Sequence, residues 1–350
     1  MSQDDLFNSP DAFRQCFESG LGRLLDSGEL NLFILVAANA SFEERLYSVL
    51  KSRLQAVYGQ LHTRLRAVFA QGGRATESDD DLLVFLKIAS FGFEGLALTE
   101  QRQAGCWEVQ FNHLRSFRPL RNSQRPMTSI RAAFDPQAFN FNKPFIQQEA
   151  LWSGERCGRH FDLYYNKYPF VEMHSLLVPE REACHPQYHQ QDMHYFIWQL
   201  LETLASCLPG VRVGYNALGA FASVNHLHYQ LFVREQALPV EAEHWSHNVG
   251  RDSYPVDCVR LDSASEAWTF IEELHAQNRA YNLLYTPGGM YCMPRKLQGE
   301  FPMAEWSNGF SWYELCGGMI TTNYQDYAAL TDSQIHAALS QTRWAPTLSA

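Results

Sequence analysis

Residues 223–233 form the stretch SVNHLHYQLFV, which is the strongest local pattern in the chain. Polar and apolar residues alternate with a period of two, which predicts a β-strand over residues 224–233. On such a strand His226, His228 and Gln230 share one face. The opposite, apolar face carries Leu227, Tyr229 and Leu231. Three hydrogen-bonding side chains in a row are costly to bury alone, so we expect that face to contact water, a metal or a ligand.

The His-x-His pair is compatible with three kinds of site. A metal site of this type needs a Glu four or five residues after the second His, and those positions hold Phe232 and Val233. Two hydrogen-bonded structural histidines are the second interpretation. In the third, a neutral imidazole attacks phosphorus near neutral pH, with His228 as the nucleophile.

Composition and charge exclude several classes of protein. The chain has 350 residues, 46% of them apolar, which is enough for a full core and argues against disorder. The formal net charge of -10 argues against non-specific nucleic-acid binding, which needs a basic surface. The eight cysteines include no C-x-x-C pair, so reduced thiols in a cytoplasmic protein are expected. The longest apolar run, residues 30–40, is too short to span a bilayer, and the acidic N-terminus lacks the features of a signal peptide.

Residues 1–104 are predicted to form a helical N-terminal region. Ser9 before Pro10 suits a helix start, and residues 41–44 resemble a capping box. Apolar residues then recur at spacings of three and four up to residue 68, with Gly59 as the position at which this stretch divides into two helices. Residues 71–79 are glycine-rich and polar, and are predicted to be a loop.

From residue 105 the pattern changes to short strands and turns, with helices expected at residues 190–207 and 265–278. The stretches YYNKYPFVEMHSLLVPER at residues 164–181 and YNLLYTPGGMYCMPRK at residues 281–296 both follow a strand–turn–strand pattern. We therefore predict two related halves, 105–235 and 236–350.

Other polar residues leave alternatives open. An arginine-rich stretch without acidic residues is either solvated surface or a phosphate-facing segment. It contains Arg115, Arg118, Arg121, Arg125 and Arg131. A second, scattered set of histidines is interpreted as solvated surface. It comprises His185, His189, His194, His244 and His247.

The segment GYNALGAFASVNHLHYQ, residues 214–230, resembles the active-site signature of the histidine triad superfamily in its H-x-H-x-Q form. More narrowly, the chain resembles the GDP-hexose phosphorylases over about residues 90–330. The supporting segments are FDPQAFNFNKP at 134–144, MHSLLVPE at 173–180 and ALPVEAE at 237–243. The chain departs from the family pattern at Pro144, where the family has Val or Ile, and at Met173, where the family usually has Gly.

The resemblance implies a role for each matching residue. His228 would be the nucleophile, the His226 carbonyl would accept from His228 Nδ1–H, and Gln230 would hold the α-phosphate. The implied substrate-binding residues are Asn142, Lys143, His174, Asn216, Ser223 and Asn225. Lys143 would be the charge partner of a pyrophosphate. No metal or cofactor is implied, because the C-x-x-C half of the zinc site of related uridylyltransferases is absent from the sequence.

The implied fold is α+β, a duplicated histidine-triad antiparallel sheet with flanking helices, residues 236–350 being the non-catalytic half. The implied activity is nucleotidyl transfer from a nucleoside diphosphate sugar, a GDP-hexose, to inorganic phosphate through a guanylylated His228. The enzyme would be cytoplasmic, with no nucleic-acid or membrane partner, and the resemblance allows a homodimer. Three alternatives remain: a dinucleoside polyphosphate phosphorylase, a non-catalytic nucleotide-binding protein, and a metal-dependent hydrolase.

Overall fold

The computed structural model describes residues 6–119 and 126–344, so Arg121 and Arg125 lie outside the described residues. The N-terminal region is helical, as predicted. Its helices are α1 Pro10–Leu25, α2 Leu30–Phe42, α3 Glu44–Ala70 and α4 Asp79–Phe91. Helix α2 is almost entirely buried and packs against the other three, because it is apolar on all sides. In the described part of the chain, no helix combines the length and apolar character needed to cross a membrane.

Two details of the helical prediction are wrong. Ser41 does not cap α3: it lies in the last turn of α2, where its hydroxyl donates to the Ala38 carbonyl at 3.1 Å. Gly59 does not divide the following stretch, because α3 continues without interruption to Ala70. The apolar face of α3 packs against α1 and α2, and this packing outweighs the modest cost of one glycine within a helix.

Strands and helices alternate in the remainder of the chain. The first part contains β1 Glu100–Ala104, β2 Trp107–Phe111, α5 His113–Ser116, β3 Ala150–Arg156, β4 Arg159–Tyr165, β5 Ser175–Pro179, α6 Gln191–Leu204, β6 Val211–Asn216 and β7 Tyr229–Val233. The second part contains β8 Val259–Leu261, α7 Ala264–Ala276, β9 Ala280–Thr286, β10 Gly289–Arg295, α8 Trp312–Leu315, β11 Gly318–Ile320, α9 Tyr324–Ala329 and α10 Asp332–Ser340.

The larger sheet has the strand order β3-β4-β5-β7-β6-β9-β10-β8, and all its neighbours are antiparallel. Strands from residues 105–235 and 236–350 meet where β6 pairs with β9, with Asn216 opposite Asn282. A smaller sheet joins the β1–β2 hairpin to β11, which runs parallel to β2. The α+β class with a helical N-terminal segment is confirmed, whereas the duplication and the domain boundaries stay predictions.

The strand predicted for residues 224–233 is correct only from Tyr229 onward. Before Tyr229 the chain bonds to loops instead of a neighbouring strand. The Leu227 N–H donates to the His185 carbonyl, and the Asn225 side chain donates to the Ala133 carbonyl. His226 and His228 therefore lie in an extended loop that leads into β7.

Candidate functional site

A cavity of about 760 Å³ opens at the start of β7. Gln230 and Asn216 line it from the sheet, and His228 lines it from the loop that leads into β7. The loop and 3-10 helix at residues 139–149 and the N-terminal helices line it from other sides. The cavity therefore brings together parts of the chain that are far apart in sequence.

His228 is oriented by its own backbone neighbourhood. Its Nδ1–H donates to the His226 carbonyl at 2.8 Å, which leaves the lone pair of the neutral ring on Nε2. Burial lowers the pKa of His228 to about 4, although the hydrogen bond to His226 acts in the opposite direction. The ring is therefore neutral at physiological pH, and a neutral imidazole is the form that attacks phosphorus.

Gln187 holds the backbone of His228 from both sides. Its Oε1 accepts from His228 N–H at 2.9 Å, and its Nε2 donates to the His228 carbonyl at 3.1 Å. The same Nε2 donates to the Asn216 carbonyl at 2.9 Å. Gln187 is fully buried, and its bonds tie the backbone of His228 to β6.

The His226 ring supports the site without being among the described cavity-lining residues. Its Nδ1 accepts from Phe141 N–H at 3.1 Å, and its Nε2–H donates to the Arg181 carbonyl at 3.0 Å. Burial, reinforced by the repulsion between the two rings when both are protonated, lowers the pKa of His226 to about 4. A neutral His226 thus holds the loop at Phe141 against the segment after β5.

His174 orients the amide of Gln230. Its Nε2–H donates to Gln230 Oε1 at 2.9 Å, and its Nδ1 faces Phe170 N–H at 3.4 Å. Burial lowers the pKa of His174 to about 3, so this ring is neutral as well. Because the Gln230 oxygen is engaged, its NH2 group is the donor available to the cavity.

The Asn216 amide is fixed in the same way. Its Oδ1 accepts from Asn282 Nδ2 at 2.6 Å and from Trp312 N–H at 2.8 Å. Its NH2 group is then the donor toward the cavity, which Asn216 lines. Gly214 lies two residues earlier on β6. A glycine is required there because a Cβ would clash with the Trp312 ring. Two neutral amide donors consequently accompany His228.

The other residues implied by the resemblance occupy different positions. Ser223 lines the cavity and is exposed. Asn225 accepts from Gln187 N–H at 2.9 Å and Asn142 accepts from Arg181 Nη1 at 2.8 Å, so both hold neighbouring loops. Lys143 Nζ donates to the Pro136 carbonyl at 2.9 Å and is not among the described residues that line the cavity.

The arginine-rich stretch contributes cations to the same cavity. Arg115 and Arg118 line it, and the Arg115 guanidinium lies 4.8 Å from the centre of the Phe170 ring. Arg115 also donates to the Tyr168 carbonyl. Arg131 instead stacks on Tyr188 at 4.6 Å.

The interpretation of His189 and His194 as solvated residues is wrong, because both are buried in a chain of hydrogen bonds. His194 Nε2–H donates to the Ala264 carbonyl at 2.9 Å, so His194 Nδ1 accepts from Tyr285 O–H at 2.7 Å. His189 Nε2–H then donates to the Tyr285 oxygen at 2.8 Å, and Tyr229 O–H donates to His189 Nδ1 at 2.7 Å. This chain links β7 and β9 to the start of α7.

In the part of the chain that the structure describes, no three His, Cys, Asp or Glu side chains are arranged around a common point. The described residues therefore offer no group of ligands for a metal ion. The eight cysteines are free thiols, as the sequence predicts.

Comparison with protein families matches residues 107–232 to the model described as "GDPGP1-like, N-terminal domain". The matched segment contains His226, His228 and Gln230. This finding confirms the resemblance to the GDP-hexose phosphorylase family.

Individual relatives carry the same family names. The chain is 40% identical to GDP-D-glucose phosphorylase 1 of Danio rerio over 124 residues, which is 35% of each chain. It is 36% identical to the Homo sapiens protein of that name over 129 residues, 35% of this chain and 33% of the relative. It is 29% identical to GDP-L-galactose phosphorylase 1 of Arabidopsis thaliana over 129 residues, 32% of this chain and 28% of the relative. The matches thus span about a third of the curated relatives.

Among solved structures, yeast Ap4A phosphorylase Apa2 in complex with Ap4A aligns with a TM-score of 0.47 and 15% sequence identity. The alignment covers 77% of this chain and 99% of Apa2.

Sequence reasoning missed Gln187 and Glu149. Gln187 lies in a loop between Pro186 and Tyr188, where no periodicity distinguishes it from a solvated residue. Glu149 is only 5% exposed and lines the cavity, although acidic residues are rarely buried. Neither position gave a local signal, because both depend on contacts between distant segments.

Proposed function

We propose that this chain is a GDP-hexose phosphorylase that works through a covalent His228–GMP intermediate. One observation carries the proposal: a neutral, oriented His228 lines a large cavity between the amide donors of Gln230 and Asn216. The sequence similarity to named GDP-hexose phosphorylases supports the choice of substrate.

In the first half-reaction His228 Nε2 forms a bond to the α-phosphorus as the bond from that phosphorus to the bridging oxygen breaks. Hexose-1-phosphate leaves with the bridging oxygen. The imidazole gains positive charge in this step, and its Nδ1–H is held by the His226 carbonyl. That carbonyl stabilises the charged ring, much as a buried acceptor does in other histidine-dependent sites.

In the second half-reaction an oxygen of inorganic phosphate attacks the same phosphorus, His228 leaves as a neutral ring, and GDP is released. The Gln230 and Asn216 amides would hold the non-bridging oxygens through both steps. An amide does not exchange a proton at neutral pH, so Gln230 would not act as a general acid or base for water. This property suits an intermediate that reacts with phosphate.

The chemistry needs cationic compensation for the diphosphate. Arg115 and Arg118 line the cavity and are part of the proposal for that reason. Asn142, Lys143 and Asn225 enter it through the family resemblance alone, since the structure has them bonded to neighbouring loops.

The experiment is intact-protein mass measurement after mixing with GDP-glucose in the absence of phosphate. We expect a GMP-sized adduct on the wild type but not on His228→Asn, and its discharge to GDP when phosphate is added. An adduct formed only from a dinucleoside polyphosphate would support that alternative instead. Tight GDP binding without any adduct would indicate a binding protein, and loss of activity with chelators would indicate a metal-dependent hydrolase.

The proposal also includes a cytoplasmic enzyme without nucleic-acid partners. The net charge of -10 supports the absence of nucleic-acid partners, because a polyanion would be repelled. Sedimentation of the purified protein would test the homodimer that the resemblance allows.

A further inference from the structure

The cavity extends beyond His228 into the N-terminal helical region. That region contributes Glu29, Asn31, residues 76–78, Asp80 and Asp81 to its wall. The family match begins at residue 107, so this wall lies outside the matched segment. The far end of the cavity thus has features that the catalytic residues do not explain.

One part of the cavity is lined by aromatic rings. Phe139, Phe141, Phe145 and Tyr164 line it. Phe141 stacks on Tyr164 at 5.6 Å with an angle of 25° between the rings, and its ring centre lies 5.4 Å from that of His228. Phe139 and Phe145 are 44% and 52% exposed, which is high for residues of this size. Such surfaces favour a planar heterocycle that stacks on them.

A buried carboxylate lies next to these rings along the chain. Glu149 ends the 3-10 helix Pro144–Glu149, which carries Phe145, and it is only 5% exposed. The pairing of Ala150 with Tyr164 places Glu149 beside the turn after β4, which carries Lys167. The Asn31 side chain from α2 hydrogen-bonds to Glu149.

Two carboxylates, Glu149 and Asp81, lie near the cation of Lys167. Lys167 Nζ bonds to Asp81 Oδ1 at 2.5 Å, and both residues line the cavity. Burial raises the pKa of Glu149 to about 7; Lys167 and Asn31 oppose this increase, and Asp81 adds to it. A carboxylate in this setting gains from additional N–H donors, which favour its charged form.

We propose that Glu149 recognises the guanine base of the nucleotide, its two carboxylate oxygens accepting from the N1–H and the 2-amino group. Lys167, whose ammonium carries three N–H donors, donates to the guanine O6. This inference rests on the proposed function, because it uses the nucleotide that His228 would attack.

The donor pattern selects guanine among common bases. Guanine presents two adjacent donors, which match a carboxylate, beside one acceptor, which matches Lys167. Hypoxanthine lacks the 2-amino donor, and xanthine replaces it with an oxygen that would face the carboxylate. The hexose would then lie in another part of the cavity, whose lining includes Ser311, Glu314 and Thr321.

The test is calorimetric binding of GDP, IDP and XDP to the wild type and to Glu149→Gln, without turnover. The matched control is Glu155→Gln, an exposed glutamate on β3, the strand that follows Glu149. The wild type and the control should bind GDP about 10- to 100-fold more tightly than IDP, the cost of one buried oxygen left unpaired. In Glu149→Gln the ratio of the GDP affinity to the IDP affinity should fall toward one. The affinity for XDP should rise relative to that for GDP, because the new amide can donate to the xanthine oxygen.

The XDP gain is a result that misfolding cannot produce. An unchanged GDP:IDP ratio in Glu149→Gln, or a wild type that binds GDP and IDP equally, would overturn the assignment even if GDP-glucose is phosphorolysed. If the wild type binds GDP selectively but forms no adduct on His228, the proposed function fails while the guanine assignment holds.

Discussion

Gln187 and His228 are joined by a pair of hydrogen bonds in which one amide side chain takes both the backbone N–H and the backbone carbonyl of the other residue, at 2.9 and 3.1 Å. Side chains rarely replace a strand in this way. Because β7 begins only at Tyr229, the backbone of His228 has this partner where a neighbouring strand would otherwise be.

Replacement of Gln187 by Met should therefore affect both stability and chemistry. Met has a similar shape but cannot satisfy His228 N–H, His228 C=O or the Asn216 carbonyl. We expect a loss of about 2–4 kcal/mol in the free energy of unfolding, measured in urea. Adduct formation on His228 should slow at least about tenfold, since the nucleophile loses its fixed position. Unchanged values of both quantities would contradict this role.

The pH dependence of adduct formation should reflect the burial of His228. Its pKa is lowered to about 4, and only the neutral ring attacks. The single-turnover rate at saturating GDP-glucose should therefore stay level as the pH falls from about 8 to 5, and decline only as the pH approaches 4. A rate that halves near pH 6.5, the ordinary value for histidine, would show that the ring is solvated during the reaction.

Arg115 provides a test of the cationic part of the cavity. Replacement by Gln removes the guanidinium that lies over Phe170 and should slow adduct formation about 10- to 100-fold, because the leaving phosphate loses a compensating charge. Arg131→Gln is the matched control, since Arg131 bonds to the Tyr188 hydroxyl at 2.5 Å. Equal effects of the two changes would indicate a general loss of surface charge.

The buried His189–Tyr229 pair can be tested by a double-mutant cycle. His189→Phe leaves the Tyr229 hydroxyl without its acceptor and should cost about 2–5 kcal/mol of unfolding free energy. Adding Tyr229→Phe removes the stranded hydroxyl, so the double variant should be more stable than the sum of the single effects. Strict additivity would show that the two groups are not coupled.

The sequence predicts the elements of the site better than their arrangement. Periodicity locates the strand from Tyr229 and the hairpin β9–β10, since each has a local pattern. Periodicity fails at residues 224–228. Polar and apolar residues alternate there too, but the segment bonds to loops at His185 and Ala133 and not to a strand.

Tertiary contacts explain the remaining failures. His189 and His194 resemble surface residues in sequence, and only the folded sheet brings Tyr229 and Tyr285 to them. Met173 stands at a position where the family usually has Gly. Its φ of 48° is a conformation that glycine adopts without strain. The family comparison signals this position, but its backbone geometry is visible only in the structure.

The pairing of β6 with β9 has a consequence for residues 236–350. Both donors to the Asn216 side-chain oxygen Oδ1, the Asn282 amide and the Trp312 N–H, come from residues 236–350. A fragment ending at residue 235 would retain each histidine of the signature. It would lose the two donors that orient the Asn216 amide. Residues 236–350 thus fix the orientation of an amide that lines the cavity, and we expect the two fragments to regain activity only when they are combined.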